Sequence, residues 1–141
     1  MKTIRLFLTL VLFLPIVLAC NAQSTKESAT NGTSGKVEAY YFHFNARCIT
    51  CKTVEAEAKA DIEMLYPNLI KSGKVSFKAV NLDEPASKTI ADKLGVNGQT
   101  LLLVSGAQKI NITNEGFMYA RSNPEKFKAV IKEKVDGLLK L

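Results

Sequence analysis

The sequence has no tryptophan, one histidine (His43) and three cysteines among 141 residues. One histidine and three cysteines leave little for a four-ligand zinc site and nothing for a second Cys-x-x-Cys motif. There is no Gly-x-Gly-x-x-Gly run and no other phosphate loop, so flavin and nicotinamide chemistry has no binding fingerprint here and no cofactor is expected. The formal charge is +6, but the lysines are dispersed and no basic cluster carries interleaved aromatics, so nucleic acid is not an expected partner. A content of 47% apolar and 23% charged residues excludes a disordered chain and suits one globular domain.

The longest apolar run stretches from Leu6 to Leu18, short of the about 20 residues of a transmembrane helix. It follows Lys2 and Arg5 and precedes Ala19-Cys20, the layout of a secretory signal. Val17-Leu18-Ala19-Cys20 resembles a bacterial lipobox, which implies cleavage before Cys20, lipidation of Cys20 and an exported, membrane-anchored product facing the periplasm. The competing reading is ordinary cleavage near Ala22, giving a soluble product. Loss of residues 1–19 removes Lys2 and Arg5 and lowers the charge to +4. Residues 20–36 then form the lipidated cysteine and a tether of Ser, Thr, Asn and Gly, too poor in apolar surface to offset the entropy of ordering.

Residues 37–141 carry the periodicities of a folded unit. Val37–Phe44 is rich in β-branched and aromatic residues and predicts a buried strand. A helix follows from the Cys48/Cys51 pair, with Val54, Ala58, Ile62, Leu65 and Leu69 on one face, broken near Pro67 and closed by Gly73. A second strand spans 74–83. Pro85 opens a helix with Ile90 and Leu94 inside, and Gly95 stops it. Strands at 100–104 and 109–113 flank the turn at Ser105–Gln108. Asn123-Pro124 starts a last helix, striped by Phe127, Val130, Ile131, Val135, Leu138 and Leu139. The segment Asn114–Arg121 carries no assignment. The order is β-α-β-α-β-β-α, an α/β fold with a parallel βαβ unit and an antiparallel final hairpin.

A dithiol just after the first strand, at a helix N-terminus, in this element order resembles the thioredoxin fold. The resemblance implies a central four-stranded mixed sheet with helices on both faces. Leu94–Gly106 resembles the thioredoxin segment that enters the central hairpin. Tyr40–Glu55 (YYFHFNARCITCKTVE) with Val80–Pro85 (VNLDEP) resembles a narrower family, small bacterial thioredoxin-like lipoproteins named as the nitrophenyl-compound nitroreductase subunit ArsF. That resemblance implies a place in a nitroreductase system, with an integral-membrane thiol transporter and a downstream redox protein as partners. The chain departs from ordinary thioredoxins at three points. Arg47 replaces the tryptophan before the first cysteine. Gln99-Thr100 replaces the cis-proline step of the substrate shelf, so a trans peptide is expected. Phe42 stands where a buried acid belongs.

A cysteine at a helix N-terminus faces free amide N–H groups and the positive end of the helix dipole, and both favour thiolate. Cys48 is therefore expected to attack and Cys51, one turn on, to resolve, with Arg47 and more weakly Lys52 adding positive potential. His43, five residues before Cys48, is open to three readings: a plain core or surface residue, a neighbour that tunes the dithiol, or a third ligand beside Cys48 and Cys51. Three functions stay in play: a thiol–disulfide oxidoreductase or electron carrier, a metal-binding module, and a non-catalytic docking subunit of a reductase complex.

Overall fold

The computed structural model describes residues 35–141; Cys20, the signal sequence and the tether up to residue 34 lie outside the described residues. The chain follows β1 (Val37–His43), α1 (Ile49–Leu65), α2 (Pro67–Lys71), β2 (Val75–Asn81), a 3-10 turn (Pro85–Ser87), α3 (Lys88–Leu94), β3 (Thr100–Ser105), β4 (Gln108–Asn111), α4 (Thr113–Tyr119) and α5 (Pro124–Leu139).

The sheet order is β2-β1-β3-β4. β1 and β2 are parallel, with Val37 opposite Val75 and His43 opposite Asn81. β3 runs antiparallel to β1, with Phe42 opposite Thr100, and β4 antiparallel to β3. This is the thioredoxin-like arrangement: a mixed four-stranded sheet covered on both faces. β1 and β3 are central and buried almost throughout, as their β-branched, leucine and aromatic residues require. β4 is a short edge strand with Lys109 exposed, which blunts pairing with other chains.

Strand alternation divides the core in two. Val37, Ala39, Tyr41, Leu101 and Leu103 face α1 and α5, meeting Val54, Ala58, Ile62, Phe127, Ile131 and Val135. Tyr40, Phe42, Leu102 and Val104 face the other way and meet Ala91 of α3, with Val80, Leu82, Ile90 and Val96 around them. Each fully buried Phe, Ile or Leu contributes about 1.5–3 kcal/mol relative to exposure.

Helix ends follow the sequence. α1 ends at Leu65 because Tyr66 leaves helical geometry (φ −129°, ψ 45°), and Pro67 restarts the chain as the first residue of α2. Gly95 caps α3 with φ 73°, a conformation that costs glycine nothing. Asn123 caps α5, its side chain accepting from the Lys126 amide at 3.1 Å. α4 is the element that periodicity alone does not predict. It is seven residues long, has no side-chain cap and contains Gly116. That glycine is what lets α4 lie against α1: a Cβ there would sit 2.8 Å from Val54 Cγ1.

β1 enters at one pole of the domain, where the Val37 amide donates to the Lys74 carbonyl at 2.7 Å, and leaves at the other, beside the cysteines. No described helix is long and apolar enough to cross a membrane.

Candidate active site

The five residues between β1 and α1 are held by the loop after β2. The Leu82 amide donates to the His43 carbonyl at 2.7 Å. The Asn45 amide donates to Asp83 Oδ2 at 2.6 Å, and Asn81 Nδ2 donates to Asn45 Oδ1 at 2.9 Å. The Asp83 amide in turn donates to Asn81 Oδ1 at 3.1 Å. The Val80–Pro85 stretch is thus a cradle for the loop that delivers Cys48, and its Asn and Asp supply the short polar side chains such a loop needs.

Cys48 is the N-cap of α1, with extended geometry (φ −72°, ψ 166°). Its Sγ accepts from the Cys51 amide at 3.2 Å, the position an N-cap oxygen takes in other helices. The first turn of α1 carries no Asp or Glu, so no carboxylate competes with the sulfur for the helix N-terminus. Cys48 and Cys51 form a disulfide with Cα atoms 5.2 Å apart. The two sulfurs are not equivalent: Cys48 is exposed, whereas Cys51 keeps only 7% of its surface in solvent. Attack by or on Cys48 is open to a macromolecule; Cys51 is reached only from within the site.

Behind Cys51 lies a buried polar chain. Tyr41 Oη donates to the Cys51 carbonyl at 2.7 Å, and Gln99 Nε2 donates to Tyr41 Oη. Burial pushes the Tyr41 phenol above its ordinary value, so it stays neutral and keeps its proton for the carbonyl. Gln99 therefore meets the site by supporting the wall behind the dithiol, whereas the Thr100 hydroxyl donates to the Gly98 carbonyl at 3.0 Å. No described peptide bond is cis, so the Gln99-Thr100 step is trans.

Arg47 turns back on the chain: its Nη1 pairs with Glu55 Oε2. Both side chains are mostly covered, 20% and 24% exposed. The guanidinium next to Cys48 is thus already matched by a carboxylate, and its pull on a Cys48 thiolate is reduced by that partner. His43 is buried on the Tyr41 side of β1, with ring centroids 6.1 Å apart, and its Nδ1 donates to the Phe44 carbonyl at 3.1 Å. Among the described residues, no group of three His, Cys, Asp or Glu side chains is placed to hold a metal ion. Lys52 is exposed in the first turn of α1. From the opposite side Arg121 reaches the motif, its Nη1 3.4 Å from Thr50 Oγ1.

Sequence reasoning placed the dithiol and its helix, but gave Tyr41 no role beyond the buried strand Val37–Phe44 and missed Glu55 and Arg121. Glu55 follows Cys51 by four residues and so shares its helical flank, a spacing that was available to find it. Arg121 had no such signal, because α4 itself was unread. Asp61, farther down α1, was also missed. Its side chain is 5% exposed, Oδ2 has no hydrogen-bond partner, and Lys128 Nζ lies 4.0 Å from Oδ1. Desolvation raises its carboxyl to about 6, against the pull of Lys128.

No family model matches the sequence, and no curated protein matches it. Among solved structures, the chain is similar to Trxlp from Edwardsiella tarda EIB202, at 19% identity with a TM-score of 0.44 over 70% of this chain and 84% of that one. A malarial protein aligns at 16% identity with a TM-score of 0.45, over 70% of this chain and 96% of that one.

Proposed function

We propose that this protein is a thiol–disulfide oxidoreductase or electron carrier working through Cys48 and Cys51. The observation that supports it is the asymmetry of the pair: an exposed Cys48 whose sulfur accepts from the Cys51 amide, and a buried Cys51 one turn behind it. In the reducing direction, the Cys48 thiolate attacks a substrate disulfide and a mixed disulfide forms. The departing substrate sulfur leaves as thiolate and takes a proton from solvent. Cys51, as thiolate, then attacks Cys48 Sγ and releases the second substrate sulfur. Two electrons pass from the dithiol to the substrate, and the protein ends in the disulfide form. In the oxidising direction the same steps run backwards.

The lipobox-like Val17–Cys20 supports export and attachment to a membrane through lipidated Cys20. The resemblance of Tyr40–Glu55 and Val80–Pro85 to the ArsF lipoproteins supports a place in a nitroreductase system. In that placement the dithiol exchanges electrons between an integral-membrane thiol transporter and a downstream redox protein, and nitro-group reduction belongs to another subunit.

Trapping tests the reading. In cells, Cys51→Ser should accumulate mixed disulfides joined to Cys48, and the attached proteins identify the partners. Equal trapping by Cys48→Ser, or none by either, would remove the proposal. Release of the protein from membranes by Cys20→Ala tests the anchor separately.

A further inference from the structure

Near the dithiol, where α4 packs on α1, stand four exposed side chains that the redox step itself does not use: Ile49 and Lys52 of α1, Phe117 of α4 and Arg121 just beyond it. Ile49 directly follows Cys48 and leaves 73% of its surface in solvent. Gly116 packs on Val54, and Arg121 Nη1 stands 3.4 Å from Thr50, so the α4 end of the chain borders the Cys48-Ile49-Thr50 turn. Phe117, in α4, is 39% exposed, and Arg121 lies two residues beyond the end of that helix. Lys52 is exposed as well, and, two residues after Thr50 on a helix, it stands on the other side of the turn that carries Cys48.

Among the described residues, neither Arg121 nor Lys52 makes an ion pair, whereas Arg47 is held by Glu55. Across the loop the sign reverses. Asp83, Glu84 and Asp92 line a groove with Phe44 and Lys88, whose ammonium stands 3.9 Å from Asp92. The turn that carries Cys48 is thus apolar at Ile49 and bracketed by the cations Lys52 and Arg121, whereas the groove on the β2–α3 side is anionic. Such a field adds little to affinity but steers encounter and orients the incoming chain.

We propose that the dithiol selects cysteines of acidic segments, a partner chain with an apolar residue and Asp or Glu beside its cysteine, docked on Ile49 and Phe117 with its carboxylates toward Arg121 and Lys52. This rests on the redox reading above and names its partner class. The exchange is the one already written: the Cys48 thiolate opens the partner's disulfide, Cys51 closes the protein's own, and two thiols leave.

The test uses the reduced protein and two disulfide-linked peptide dimers of equal length. Each has one leucine beside its cysteine; one carries flanking glutamates, the other flanking lysines. Rates are read by acid quench, alkylation and mass, and each is divided by the same variant's rate with the neutral hydroxyethyl disulfide. The acidic dimer should react about ten-fold faster than the basic one at low ionic strength, with most of the gap lost at high salt. Arg121→Glu combined with Lys52→Glu should abolish or invert the ratio. Equal rates for the two dimers, a faster basic dimer, or a ratio unmoved by the charge reversal would overturn the proposal while leaving the redox reading intact. Failure to reduce hydroxyethyl disulfide at all would remove both.

Discussion

The Cys51 amide donates to Cys48 Sγ at 3.2 Å, so one cysteine of the pair holds the sulfur of the other. On reduction this becomes a charge-assisted hydrogen bond to a thiolate. In Cys51→Ser, Cys48 should alkylate with a pKa below the free value of about 8.5. In Cys48→Ser, the buried Cys51 should react at least about ten-fold more slowly at neutral pH. Iodoacetamide rates across pH measure both.

Arg47 and Glu55 should move the Cys48 pKa in opposite directions. Removing the carboxylate frees the guanidinium, so Glu55→Gln should lower the pKa by a few tenths to about one unit. Arg47→Ala should raise it by a similar or smaller amount, because part of the guanidinium's charge is already matched. Thiolate stabilisation favours the reduced form, so Glu55→Gln should also make the couple more oxidising. Equilibration with glutathione buffers gives the potentials; identical values for both variants would show that the helix N-terminus alone sets them.

Tyr41→Phe keeps the ring in the core and removes the hydroxyl between Gln99 and the Cys51 carbonyl. The buried Cys51 carbonyl and the part-buried Gln99 amide each lose a bond, and stability should fall by about 1–3 kcal/mol. Gln99→Ala added to Tyr41→Phe should cost less than the two single changes together, because they share one interaction. Urea unfolding of the four proteins closes the cycle.

Gly116→Ala should destabilise by about 1–3 kcal/mol, since its methyl would meet Val54 Cγ1 at 2.8 Å and overpack the α1–α4 contact. Val54→Ala in the same chain should recover part of the loss by opening that space. Thermal unfolding of the single and double variants provides the comparison.

Asp61 gives a pH dependence with a definite sign. Its carboxyl titrates near 6 in the folded chain against 3.8 ordinarily, so the folded state holds the proton more tightly. The stability this group contributes is fully present below about pH 4 and lost as pH rises through 6. Asp61→Asn resembles the protonated form. It should be more stable than the parent at pH 7.5, by about 1–3 kcal/mol, with the gap narrowing between pH 6 and 4. Unfolding at pH 4.5 and 7.5 reads the crossover; a constant gap would mean that the effect is not proton-linked.

What could be read from the sequence was whatever local chemistry determines. Val37–His43 and Thr100–Ser105 are central strands because their residues suit burial on two faces, and Gly95 and Asn123 mark helix ends by backbone and side-chain geometry. The place of Cys48 at the start of α1 was legible because its strand-to-helix setting is local too. α4 was not legible: seven residues around a glycine have no apolar period, and tertiary packing on Val54 holds them helical. The Arg47–Glu55 pair was hidden because Arg47 precedes the helix, so no helical spacing links the two. Asp61 did leave a trace. It interrupts the apolar stripe of Val54, Ala58, Ile62 and Leu65 at a core-facing position, and a carboxylate there signals a buried charge.

β1 begins at the pole where Val37 joins Lys74 and ends beside the cysteines, a rise of about 20 Å for seven residues. Whatever is joined ahead of Val37 therefore attaches at the base of the domain, with the reactive sulfur at its crown. Immobilised by that end on a bead or an electrode, the protein would present Cys48 outward, and a fusion partner placed there would leave the dithiol unobstructed.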